Sequence, residues 1–198
     1  MASISRVQLE NWLKTIEVSG RVLDIGGSQN PVKGMTGVWA DDTDYLIMDL
    51  LNPHEFKKKQ DIIFDIQTCG DIPMEVSAAW ETFDHIFCLE VAEYWYDPAM
   101  AMQNIANLLK PGGKAHISFH WLYGLHNPEG EDCLRYSYNA IEKLSEMVGL
   151  EIEDCQVKPL GEGGKNRLEA FYLNEKMRLR FSDPAMYDEG YLVTFSKK

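Results

Sequence analysis

Three short apolar runs, each closing on an aspartate, constrain this chain more than any other feature. They are RVLDI (21–25) with Asp24, DYLIMDL (44–50) with Asp49, and DIIFDI (61–66) with Asp65. A fourth run, FDHIFCLEV (83–91), carries Glu90 at its end, and a fifth, KAHISFH, fills 114–120. Short stretches rich in β-branched and aromatic residues predict strands. Helical patterns separate them, and strands alternating with helices at this spacing predict an α/β fold built on a mostly parallel sheet covered on both faces.

The helical segments read as follows. ISRVQLENWLKTIE has Val7, Leu9, Trp12, Leu13 and Ile16 near helical spacing, with Ser3 or Ser5 as cap, and predicts a leading helix ending at Gly20. IPMEVSAAW is a weak helix. DPAMAMQNIANLLKPGGK opens on Asp97 as N-cap with Pro98 in the first helical position and stops at Pro-Gly-Gly. After a long loop come a helix ending LSEMVG, a strand LEIEDCQVKP, a helix RLEAFYLNEKMRLRF and a last strand GYLVTF. One domain is expected over 1–198: a leading helix in 1–19, a core in 20–120, and a loop, helices and closing strands in 121–198.

Charge narrows the function. The formal net charge of -12 repels phosphate backbones and anionic lipid, so neither nucleic acid nor a membrane surface is an expected partner. With no apolar leader and no run long enough to span a bilayer, the expectation is a cytoplasmic protein. Cys69, Cys88, Cys133 and Cys155 lack CxxC spacing, which fits reduced thiols, and Cys88 reads as a buried small hydrophobe.

Open α/β sheets bind ligands beyond the carboxyl ends of their strands. Asp24, Asp49, Asp65 and Glu90 line up at that edge, an arrangement hostile to a phosphate. The glycine loop GGSQNP after Asp24 also lacks the lysine of a P-loop. The fitting ligand has hydroxyls, amines and a positive centre. The competing explanation for each aspartate alone is a cap on the following loop or helix. Against it, Asp49 stands 25 positions after Asp24, near the spacing of about 20 at which dinucleotide folds place a ribose-binding acid.

These segments in this order resemble the class I S-adenosylmethionine-dependent methyltransferases: VLDIGG, YLIMDL, IIFDI, FDHIFCLEVAEYWYDP and LLKPGGKAHIS, together covering roughly 20–120. The resemblance implies a Rossmann-like seven-stranded sheet with an antiparallel last strand, and S-adenosylmethionine as cofactor with S-adenosylhomocysteine as product. It implies that Gly26 and Gly27 let the backbone approach the methionine portion, with Asp24 ordering the loop. Asp49 would accept the ribose hydroxyls, Leu50 would lie against adenine, Asp65 and Ile66 would meet its amino group and ring edge, and Glu90 and Val91 would line the methionine side. The departure is Ser28-Gln29-Asn30-Pro31 where a third glycine is common; Pro31 removes a donor and restricts Asn30.

Acceptor chemistry is expected from FHWLYGLHNPEGEDCLRYS (119–137). His120 and His126 are the candidate catalytic bases, each with packing or a turn as the competing role. The segment resembles a stretch of small methyltransferases of surface-sugar synthesis, which puts a sugar among the small-molecule acceptors, methylated on oxygen or nitrogen. Arg135 is expected to tie the loop to Asp132 or Glu131. Tyr94, Trp95 and Tyr96 either wall an acceptor pocket or pack. His54 and His85 read as isolated, FKKKQ (56–60) as a solvated face, and no metal site is expected. The alternatives are a non-catalytic S-adenosylmethionine-binding or scaffolding protein and an NAD-binding oxidoreductase, the latter disfavoured by the incomplete GxGxxG.

Overall fold

The computed structural model describes residues 4–54, 57–70, 72–125, 130–159 and 188–198. His126 and the expected helix RLEAFYLNEKMRLRF lie outside the described residues. Helix α1 (Ile4–Leu13) leads into β1 (Glu17–Val18) and β2 (Arg21–Ile25), followed by β3 (Val38–Trp39), β4 (Asp44–Asp49) and β5 (Ile62–Ile63). Next come α2 (Met74–Ser77), β6 (Phe83–Cys88), α3 (Pro98–Leu108), β7 (Leu109–His120), α4 (Tyr138–Val148), β8 (Leu150–Pro159) and β9 (Asp188–Lys197).

Among the described residues, seven strands form one sheet in the order β5-β4-β2-β6-β7-β9-β8. All neighbours pair in parallel except β9, which runs antiparallel to both β7 and β8. The expected α/β class with an antiparallel last strand is therefore what the chain adopts. From β2 the order runs outward to β4 and β5, then returns across β2 to β6 and β7. That reversal opens a crevice at the carboxyl ends of β2 and β6, where doubly wound sheets bind ligands.

Period-two alternation divides each strand between two cores. Leu23, Ile25, Ile86, Cys88, Ala115, Ile117 and Phe119 join α3 in the larger core, through Ala101, Met102, Ile105 and Leu108. Val22, Phe87 and Leu192 face the other way, against Leu9, Trp12 and Leu13 of α1. Helix α3 starts as expected: the Asp97 carboxylate accepts from the Met100 amide at 3.0 Å, and Pro98 follows it. Gly149, in the left-handed region at φ 72°, ends α4.

Four boundaries differ from the sequence expectation. The leading helix stops at Leu13 rather than Gly20, and Glu17–Val18 pairs with Val38–Trp39 in a separate two-stranded sheet. Strands of two residues carry no periodic signal, which hides them from sequence reading. The third expected strand shrinks to Ile62–Ile63, because Phe64 and Ile66 turn into the core at the sheet's edge. The weak helix shrinks to Met74–Ser77. Conversely, β7 begins at Leu109, since the chain passes from helix to strand without a break.

Candidate functional site

The glycine loop is built around a buried carboxylate. Asp24 shares the sheet face of Val22, and its Oδ2 accepts from the Val32 amide at 2.7 Å and from the Tyr45 hydroxyl. Burial pushes its carboxyl up to about 7; the bonds from Tyr45 and Val32 pull the other way and the Asp49 charge adds to the rise. Val32, buried and directly after Gln29-Asn30-Pro31, reaches this carboxylate through its amide. The Gln-Asn-Pro departure therefore braces the loop.

Both glycines have a physical reason. Gly26 sits at φ 77°, its amide bonds the Met48 carbonyl at 2.8 Å, and a Cβ there would fall 2.4 Å from Val91 Cγ2. A Cβ on Gly27 would fall 2.5 Å from Asp24 Oδ2.

A cavity of about 740 Å³ opens beside this loop. Seven of the expected binding residues line it: Gly26, Asp49, Leu50, Asp65, Ile66, Glu90 and Val91. Asp24 and Gly27 lie beneath the wall and are not among its lining residues. Asp49 is aimed by two backbone amides, Ser28 to Oδ2 at 3.1 Å and Leu50 to Oδ1 at 2.8 Å. Asp65 accepts from the Gln67 amide at 3.0 Å, and the Gln67 side chain in turn receives the amides of Tyr96 and Asp97. The post-β5 loop and the start of α3 are thereby joined.

On the far side of the crevice the polar residues form a buried network. Glu90 has φ 56°, an uncommon backbone for a residue with a side chain. Its amide donates to Ser118 Oγ at 2.7 Å, and its carboxylate meets Ser118 Oγ at 3.2 Å, His120 Nε2 at 2.9 Å and Lys158 Nζ at 3.5 Å. Glu93, fully buried, lies 3.3 Å from the same His120 nitrogen. Burial alone would lower the His120 pKa, but its hydrogen bonds to Glu90 and Glu93 outweigh that and raise it to about 9. His120 is thus a buried cation stacked on Tyr123 at 4.2 Å, away from the cavity lining.

Among the described residues, Glu90, Glu93 and His120 bring one donor atom each within 4.8 Å of one another. The Lys158 ammonium already sits on this group. Two carboxylates against His120 and Lys158 make a charge-balanced set without an added ion.

Other expectations divide. Arg135 binds both oxygens of Asp132, the Oδ2 contact being 2.8 Å. Trp95 is core, edge-on to Phe119 and Tyr136, while also reaching the cavity wall; Tyr94 lines it and Tyr96 forms an exposed rim. His54 is not isolated: it lines the cavity, its Nε2 lies 2.8 Å from Glu131 Oε2, and its ring meets Tyr94 edge-on. His85 bonds His116 at 3.2 Å. The four cysteines are free, and Cys88 is buried.

Sequence reading missed Glu93, Ser118, Lys158 and Gln67. The one signal available was the alternation His116, Ser118, His120 in an otherwise apolar strand, which puts three polar groups on one sheet face.

Among the described residues no helix is long and apolar enough to cross a membrane. A family model described as "Methyltransferase domain" matches residues 46–117. A ubiquinone biosynthesis O-methyltransferase of Xanthomonas euvesicatoria pv. vesicatoria is 28% identical over 122 residues, 59% of this chain and 50% of that protein. The chain thus spans about half the length of that relative. Two solved structures share the fold over 98% of this chain. One, from Bacillus halodurans C-125 and provisionally assigned as a methyltransferase, has TM-score 0.61 at 13% identity over 99% of its own chain. The other, phosphoethanolamine N-methyltransferase 2 of Haemonchus contortus in complex with phosphomonomethylethanolamine and S-adenosylhomocysteine, has TM-score 0.53 at 15% identity over 52% of its chain. Residues 46–117 of this chain thus match a methyltransferase domain, and its sheet, with the strand order β5-β4-β2-β6-β7-β9-β8, has the fold of these solved methyltransferases.

Proposed function

We propose that this protein is an S-adenosylmethionine-dependent methyltransferase acting on an oxygen or nitrogen of a small molecule. The observation that carries the reading is one cavity lined by Gly26, Asp49, Leu50, Asp65, Ile66, Glu90 and Val91, at the switch point of the sheet. The names of the relatives support it: the Xanthomonas protein is an O-methyltransferase and the Haemonchus protein holds S-adenosylhomocysteine.

The residues present fit this cofactor. Gly26 lines the cavity without a side chain, so a ligand can approach the backbone there. Asp49, its oxygens aimed by the Ser28 and Leu50 amides, suits ribose hydroxyls, which donate to a carboxylate. Leu50 and Ile66 offer apolar surface to adenine, and Asp65 accepts from its amino group. Gln29 also lines the cavity and offers an amide to the cofactor's carboxylate. The bound cofactor supplies a methyl group activated on a sulfonium. The protein's own tasks are then to hold the acceptor in line and to exclude water. Tyr94, Tyr96 and Glu131 stand at the cavity where an acceptor would enter.

Calorimetric titration with S-adenosylmethionine tests the reading, with NAD as control. Micromolar binding is expected, weakened at least tenfold by Asp49→Ala, followed by release of S-adenosylhomocysteine when an acceptor is added. Binding without methyl transfer to any acceptor would favour the scaffolding role, and NAD binding in its place would favour the oxidoreductase.

A further inference from the structure

We propose that Glu90, anchored by Ser118, His120 and Lys158, is the acceptor-side carboxylate of the cavity, and that it selects an uncharged or cationic hydroxyl- or amine-bearing acceptor against an anionic one. The inference rests on the methyltransferase reading and adds the chemical class of the acceptor.

Direction is the first argument. Apart from Glu90 and Val91, which follow β6, the expected cofactor residues stand at the ends of β2, β4 and after β5, on one side of the switch point. The Glu90 carboxylate points the opposite way, to Ser118 and His120 on β7 and to Lys158 on β8. It nevertheless remains at the cavity wall, its side chain 27% exposed. A single group therefore joins the cavity to the half of the sheet left for the acceptor.

The second argument is that the group is built. Glu90 keeps a left-handed backbone that glycine would adopt more easily, and the Ser118 hydroxyl receives its amide at 2.7 Å. Residues in such conformations persist only where their surroundings over-determine them. Behind it, His120 and Lys158 offset the charges of Glu90 and Glu93, all but Glu90 being fully buried. The Glu90 oxygens are already engaged by Ser118, His120 and Lys158, which fix the direction in which the carboxylate faces. Glu90 therefore orients an acceptor by receiving its hydrogen bond.

Charge is the third argument. Four carboxylates, Asp49, Asp65, Glu90 and Glu131, line the cavity, and no lysine or arginine is among the described residues that do so. His54 is already engaged by Glu131. An acceptor bearing a phosphate or carboxylate would meet like charge with little relief, whereas a neutral or cationic one finds acceptors for its donors. The Tyr94, Trp95 and Tyr96 side chains at the wall suit a ring.

Three probes with one ring and different charge test this: dopamine, catechol and 3,4-dihydroxybenzoate, with initial rates read as S-adenosylhomocysteine released. The benzoate is expected to have kcat/KM at least tenfold below the other two. Glu90→Gln, nearly isosteric, should narrow that gap mainly by raising KM for catechol and dopamine. His120→Gln, through its positioning role, should raise the same KM values. Equal use of the benzoate overturns the proposal. So does an unchanged gap in Glu90→Gln, or an effect confined to the cofactor's Kd. Activity abolished by EDTA and restored by Mg²⁺ or Zn²⁺ overturns it too, because Glu90 would then be serving a metal. If S-adenosylmethionine binds but none of the three probes is methylated, the acceptor class is wrong and the cofactor reading stands. If S-adenosylmethionine does not bind, the underlying reading fails.

Discussion

Asp24 and His116 respond to acid in opposite senses. The Asp24 carboxyl rises from 3.8 to about 7, chiefly through burial, so between those values the folded chain holds a proton that the unfolded chain has released. Stability from this group therefore falls as pH rises, the loss being complete above pH 7. Burial, aided by the nearby His85 and Lys114 charges, drives His116 from 6.5 down to about 3. The unfolded chain takes up that proton first, so stability from His116 rises with pH through the same window and is lost towards pH 3. Each shift corresponds to something on the order of 4 kcal/mol, so the two largely offset between pH 4 and 6.5. Urea unfolding at several pH values in that range checks this: Asp24→Asn should make stability climb more steeply with pH than in the parent protein, and His116→Asn should make it climb less. Profiles parallel to the parent would show that neither group titrates as the burial implies. Neither behaviour was legible in the sequence, where Asp24 looked like any strand-end acid and His116 like one polar residue in a strand.

Helix α3 shows how an element can read clearly and still conceal its chief contact. Asp97, Pro98 and the apolar spacing announced the helix, because capping and periodicity are local. Asn104 did not stand out, yet it is buried and its side-chain amide donates to the carbonyls of Ile66 at 2.8 Å and Thr68 at 3.0 Å. These bonds hold the loop that carries Asp65 and Ile66 to the cavity. Asn104→Ala leaves the buried Ile66 carbonyl and the partly buried Thr68 carbonyl short of a donor, which costs about 1–3 kcal/mol in chemical denaturation, and it should also weaken S-adenosylmethionine binding severalfold. Glu10→Ala provides the contrast: it breaks a half-exposed i,i+4 pair with Arg6 in α1, and should change stability by less than about 0.5 kcal/mol. An equal effect of the two would mean that the Asn104 contacts contribute nothing.

For the whole molecule, a ligand seated in the crevice ties together β2, β4, β6 and the loops that follow them, so binding stabilises the fold as a unit. At a hundredfold excess over Kd, S-adenosylmethionine adds about 2.7 kcal/mol, which for a domain of this size raises Tm by roughly 5–10 °C. Differential scanning fluorimetry should show that rise in the parent protein and lose most of it in Asp49→Ala; a rise preserved in the variant would place the ligand elsewhere. The order of the longer strands and helices among the described residues, the glycine turn and the set of acids at one sheet edge were determined by the sequence alone, because strand periodicity, capping and turn chemistry act over a few residues. The tertiary structure decided the rest: that Asp24 lies under the cavity wall while Asp49 and Asp65 face it, that His120 is a buried cation, and that Glu90 turns towards Lys158, 68 residues away in the chain. Those outcomes depend on which strands become neighbours and on what burial does to a charge, and neither is set by any short stretch of sequence.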